Sequence, residues 1–196
     1  MKITKKNLIV SFPFTTLIAL SAYFISRVVL SSSRQVYIGL FLALMLILAI
    51  MLYTEGMSLL SAHLSATSFS IVILIVTFFE TTLLERHITM IKKGAIGSNT
   101  KSVEREYNEI FLLIGSGLLG LILSLISGFM VIGEVNIELI FKIIFTSFAL
   151  IVYLLTFLGV KYANLKVRYA VRGTILSFAM VLLAYFGNSI ILINYI

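Results

Sequence analysis

The residue types that carry membrane or cofactor chemistry are sparse in this chain. It has two histidines, His63 and His87, and neither cysteine, tryptophan nor aspartate. Without cysteine there is no disulfide framework, thiolate metal site, iron–sulfur cluster or cysteine nucleophile. His63 as neutral imidazole is a candidate ligand for a metal or haem iron; the competing reading is a polar residue at the start of a span. His87 falls in a basic loop, where a solvated side chain is expected. On one helix the two would stand at opposite ends, too far apart to share a metal. Glu80 is the acid inside an apolar run, and an ionisable group at that depth is either a polar site or a partner for a nearby base. Gly115-Ser116-Gly117-Leu118-Leu119-Gly120 fits GxGxxG, but a dinucleotide site needs a strand before it and a helix starting on it. The four-residue spacing Ser116, Gly120, Ser124, Gly128 is better read as a smooth ridge for close helix packing, whether within the chain or with a second copy. Neither HExxH, CxxC, GxSxG nor a P-loop is present. No catalytic constellation emerges, and the chain is expected not to be an enzyme.

The elements that must position these residues are set by composition. The chain has 196 residues, 60% hydrophobic and 12% charged, with a mean hydropathy of +1.12. Soluble domains carry roughly 25% charged residues. A water-soluble globule and a disordered chain are both excluded.

A bilayer core of about 30 Å calls for roughly 20 apolar residues as helix. Windows near 8–30, 36–53, 64–84, 110–132, 139–160 and 170–193 qualify or come close. They are too long and continuous for barrel strands. The expected fold is all-α: a polytopic membrane helix bundle of about six transmembrane helices in a single domain, 1–196. Pro13 lies near the start of the first. The basic start and apolar run resemble a signal peptide, but the run is long and lacks a clean cleavage site, so a retained helix is expected.

Loop charge sets the orientation. The segments 27–35, 85–109 and 161–172 contain Arg27, Arg34, Arg86, Lys92, Lys93, Lys101, Arg105, Lys161, Lys166, Arg168 and Arg172. Only Lys2, Lys5, Lys6 and Lys142 remain for the other side. The positive-inside rule puts the basic loops in the cytoplasm and both termini outside, although the lysine-bearing start opposes this. The net charge of +7 fits this bias and anionic headgroups rather than nucleic acid. In the longest loop the third helix is expected to run on past Lys92-Lys93, break at Gly94 and Gly97-Ser98-Asn99, and give way to a fourth helix capped by Ser102 with Glu104, Glu106 and Glu109 near its positive end.

Three segments together resemble the cytochrome c assembly family of membrane proteins, most closely its HemX/YpjD-type branch. They are His63-Leu64-Ser65 leading a span that ends in Leu84-Glu85-Arg86; Glu104-Arg105-Glu106-Tyr107 followed by Ile114-Gly115 and Ser127-Gly128; and Lys166-Val167-Arg168 before Leu183-Ala184-Tyr185-Phe186-Gly187-Asn188. The resemblance covers roughly residues 63–196. It implies a bacterial inner-membrane accessory protein, non-enzymatic and haem-related in biogenesis or regulation, with His63 at a haem-ligand position. Members that handle haem also carry a tryptophan-rich outer segment and further histidines. Here the segment 133–138 has neither Trp nor His, no histidine lies at 160–162, and Asn188, Ser189 and Ile190 follow the Tyr-Phe-Gly. The branch usually has an additional pair of helices upstream, so a start that omits them is expected. The alternative function is a small transporter or channel subunit with a polar site near Glu80. Expected partners are the lipid bilayer, other membrane proteins or a second copy.

Overall fold

The computed structural model describes residues 5–29, 35–53, 59–94, 103–131, 137–163 and 165–184. Among them are six helices and no strands: α1 (Lys5–Val29), α2 (Gln35–Tyr53), α3 (Leu59–Lys92), α4 (Val103–Val131), α5 (Ile137–Tyr162) and α6 (Val167–Leu182). The all-α reading holds. The segments at Ser102, 97–99, 132–136 and 185–188 lie outside the described residues.

Helix boundaries depart from the apolar windows where polar residues flank them. α3 starts at Leu59 rather than Leu64, α4 at Val103 rather than Ile110, and α6 at Val167 rather than Ala170. Hydropathy marks where lipid begins, whereas backbone hydrogen bonding continues until a residue interrupts it. At the end of α3 that residue is Gly94, with φ of +76°, a left-handed conformation that glycine adopts without steric cost. At 34 residues α3 is about 50 Å long, well beyond a hydrocarbon core of about 30 Å. α1 continues through Pro13.

Among the described residues, Leu59–Lys92, Val103–Met130 and Ile140–Tyr162 are long and apolar enough to cross a membrane. Large apolar side chains such as Ile144, Phe148, Ile151 and Leu155 face outward from α5, between 46% and 63% exposed. Water would not tolerate such a continuous face. This is a helical membrane protein.

α3 is the organising helix. It packs most extensively on α4 and also meets α1, α2 and α6. α3 to α6 close into a four-helix group, with α1 and α2 packed on α3. One core joins Ala19, Tyr23, Val36, Ala43, Val72 and Val76. The other joins Leu74, Ile114, Leu121, Ala149, Tyr153 and Val181. Lipid tails are as apolar as these side chains, so close packing and interhelical hydrogen bonds must hold the helices together.

Hydroxyls supply several of those bonds. Thr67 and Ser124 lie 2.8 Å apart between α3 and α4. Ser177 Oγ of α6 donates to the Ala149 carbonyl of α5 at 2.8 Å. Tyr153, fully buried, donates to Thr77 Oγ1 at 3.2 Å. We expect Tyr153→Phe to cost roughly 0.6 kcal/mol, the average for an interhelical hydrogen bond in membranes, measured by denaturant titration in micelles. A loss above about 2 kcal/mol would mean that the hydroxyl does more than bridge α5 to α3.

Candidate functional site

The six candidate residues fall into two groups along α3 and the facing α4. His63 lies within the helix near its start, and not ahead of it as the apolar window suggests. Glu80 lies seventeen positions on, about 25 Å along the axis.

At the first end, α4 presents its small residues to α3 in register. A Cβ built on Gly128 would sit 3.2 Å from His63 Cε1, and one on Gly120 would sit 2.8 Å from both Phe69 Cδ1 and Ser70 Oγ. Ser124, between them, meets Thr67. The partner of this ridge is therefore α3 of the same chain. Ser116 turns back instead, donating to the Leu113 carbonyl at 2.9 Å. Of the other glycines of the GxGxxG run, Gly115 faces α5, where a Cβ would lie 3.3 Å from Phe157, and Gly117 faces both α5 and α3, where a Cβ would lie 3.0 Å from Tyr153 and 3.2 Å from Ile73. The motif lies inside α4, with no strand before it, and every glycine in it accommodates a neighbouring side chain.

Because Gly128 has no side chain, the Nδ1–Cε1 edge of the His63 ring can approach α4. Its Nδ1 is 3.2 Å from both the Ser124 carbonyl and Ser127 Oγ. A proton on Nδ1 donated to the carbonyl leaves the lone pair on Nε2, the arrangement that metal-bound imidazoles adopt. No described residue hydrogen-bonds Nε2. Lys142 of α5 is close enough for its charge to act on the ring. Among the described residues no group of three or more His or Glu side chains could hold a metal ion. Deeper in α3, Ser65 Oγ is buried without a partner among the described residues.

Past the middle of α3, Glu80 faces α1. Its Oε1 accepts hydrogen bonds from the Tyr23 hydroxyl and the Arg27 guanidinium, and Arg27 also reaches the Tyr23 oxygen at 3.4 Å. The Glu80 side chain is 12% exposed and that of Arg27 30%. Phe24 packs edge-on to Phe79 beside them, centroids 4.8 Å apart, which limits access of water. Tyr23 and Arg27 share one face of α1 because they are four residues apart. That spacing was the signal in the sequence, although it does not name the acid across the interface.

Beyond Glu80, α3 and α4 extend side by side. His87 is therefore not the solvated side chain expected of a basic loop: its Nδ1 lies 2.8 Å from Glu106 Oε2, and its Nε2 is buried without a partner among the described residues. Nearby, a cavity of about 260 Å³ is lined by Tyr37, Glu104, Arg105, Asn108, Glu109 and Leu112. Its charges are partly matched within it, since Arg105 Nε donates to Glu109 at 3.2 Å.

Comparison of the chain with protein-family models, curated proteins and solved structures finds no match.

Proposed function

We propose that this protein is a non-enzymatic accessory of the cytochrome c assembly type. It crosses the bacterial cytoplasmic membrane six times, with both termini outside, and serves haem or cytochrome biogenesis or its regulation. The three segments between residues 63 and 196 support the type, and the bias of basic residues toward one end of the bundle supports the orientation.

The observation that carries a haem role is the setting of His63. Its Nδ1 rests on α4, its Nε2 would be the atom to donate to an iron, and Lys142, whose charge acts on the ring, would favour an anionic ligand there. The fit is to a single iron bond. His87 is about 35 Å away along α3, and the chain has no tryptophan to form a flat platform. With this one donor, a transient or weak haem contact would be held more readily than a permanent one. Titrating purified protein with haemin should give a Soret band that His63→Ala abolishes and Lys142→Gln weakens. A band that survives His63→Ala, or no specific band, would remove haem from the account.

The second reading is a small transporter or channel subunit. It is favoured by the Tyr23–Arg27–Glu80 network, an ion pair kept inside a lipid-spanning bundle. Against it, the carboxylate is already engaged by two donors on α1.

A further inference from the structure

The turn joining α5 to α6 carries basic side chains and no acid. Lys161 lies in the last turn of α5, Lys166 precedes α6, and Arg168 and Arg172 follow on α6. All four are exposed, and none forms an ion pair with a described acid. From Lys161 to Arg172 the sequence has no Asp or Glu.

Backbone hydrogen bonds tie the described residues on both sides of the turn to the helices. The Ala163 and Leu165 N–H groups both donate to the Gly159 carbonyl, at 3.1 and 3.0 Å, and Tyr169 N–H donates to the Lys166 carbonyl at 2.8 Å. The Leu165 side chain lies against Gly159. Tyr107 of α4 reaches the Val160 carbonyl at 3.3 Å and that of Leu165 at 3.5 Å. Holding the turn this way lowers the ordering cost of binding at its surface.

Among the described residues no acid compensates the charge of the turn. The N-terminus of α6 has neither an acid in its first turn nor a side-chain cap. Its positive end therefore adds to the basic side chains instead of opposing an acidic one. Arg168 and Arg172 are one turn apart on the exposed face. The next exposed residues toward the bundle centre are apolar, Ile175 and Leu176, each 43% exposed. Tyr162 and Tyr169, 71% and 53% exposed, flank the bases, as interfacial tyrosines do at headgroup depth. Basic groups, aromatic rims and an apolar track follow one another in the order of a phospholipid's own parts.

We propose that this turn binds a doubly anionic phospholipid of the diphosphatidylglycerol (cardiolipin) class. One phosphate is held by Arg168 and Arg172, the other on the lysine side by Lys161 and Lys166, and acyl chains lie along Ile175 and Leu176. Four bases unpaired with any described acid carry charge enough for two phosphates, and a singly charged lipid would leave more of it unbalanced. The site is independent of His63 and of any haem role.

The test is native mass spectrometry of detergent-purified protein titrated with cardiolipin, phosphatidylglycerol or phosphatidylcholine. Cardiolipin should bind tightest, and R168Q/R172Q should weaken it roughly tenfold or more, since each base near an anionic lipid contributes substantially. R86Q/K92Q removes the same charge at the end of α3 and should leave binding unchanged. If R168Q/R172Q does not purify as folded protein, K161Q/K166Q on the exposed turn carries the same expectation. Equal weakening by the α3 control, or phosphatidylglycerol or phosphatidylcholine binding as tightly as cardiolipin, would overturn the proposal.

Discussion

Gly120→Ile should be among the most damaging single substitutions in the chain. The first added carbon would meet the Phe69 ring and Ser70 Oγ at 2.8 Å, and neither neighbour can retreat easily. Ser70 is 2% exposed and already donates to the Ala66 carbonyl at 2.7 Å, while Phe69 packs on the core shared by α1, α2 and α3. The remaining isoleucine carbons would have to push α3 away from α4. That separation would also stretch the Thr67–Ser124 bond and the anchor of His63. Overpacking of this kind costs about 1–3 kcal/mol, occasionally more, and the coupled losses place Gly120→Ile at about 3 kcal/mol. Gly120→Ala should cost roughly a third of that. Leu119→Ile, on a side chain 57% exposed, should stay within about 0.5 kcal/mol. Denaturant titration in micelles, followed by circular dichroism, ranks the three. A wild-type midpoint for Gly120→Ile would mean that α3 does not lie on this ridge.

The second large effect concerns Arg27 and Glu80. Breaking a buried ion pair by removing one partner costs about 3–5 kcal/mol, because a charge is left uncompensated. Arg27 is partly exposed and its orphaned charge can reach the headgroups, so Glu80→Leu should cost less, about 1–2 kcal/mol. Glu80, at 12% exposure, cannot escape in the same way. Arg27→Leu should therefore cost about 3 kcal/mol, with only the Tyr23 hydroxyl left on the carboxylate. The double variant Arg27→Leu/Glu80→Leu should recover much of the loss, since an apolar pair often replaces a buried ion pair at little net cost. A double-mutant cycle on the same denaturation signal reads the coupling. Strictly additive losses would show that the two side chains do not interact. A second substitution at the same position, Glu80→Gln, separates the two functional readings. If ion or proton flux in reconstituted vesicles disappears with Glu80→Gln while the fold persists, the transport reading gains over the accessory one.

Much of the frame was legible because membrane insertion is a one-dimensional property. A long apolar run with flanking charge declares a helix whatever it packs against, so α3, α4 and α5 could be read directly. The ridge Gly120–Ser124–Gly128 was legible for a similar reason: small residues repeating every fourth position must share a helix face. Its partner was not, because the complementary surface of α3 is assembled from His63, Thr67, Phe69 and Ser70, which form no motif. Nor was the pairing of Glu80 legible. Tyr23 and Arg27 are more than fifty residues away, and several basic residues lay equally near the same end of the bundle.

The amino-acid sequence by itself determined the class of environment and the all-helical backbone, since each follows from local composition and from the need of a backbone in lipid to bond to itself. Tertiary structure alone decided which helix lies on which. In water, polar and apolar faces label outside and inside. In lipid both the exterior and the interior of the bundle are apolar, so that label vanishes. What selects α3 as the centre is shape and a few polar contacts: a missing side chain at Gly120 and Gly128, a hydroxyl at Ser124, a carboxylate at Glu80 in reach of Arg27.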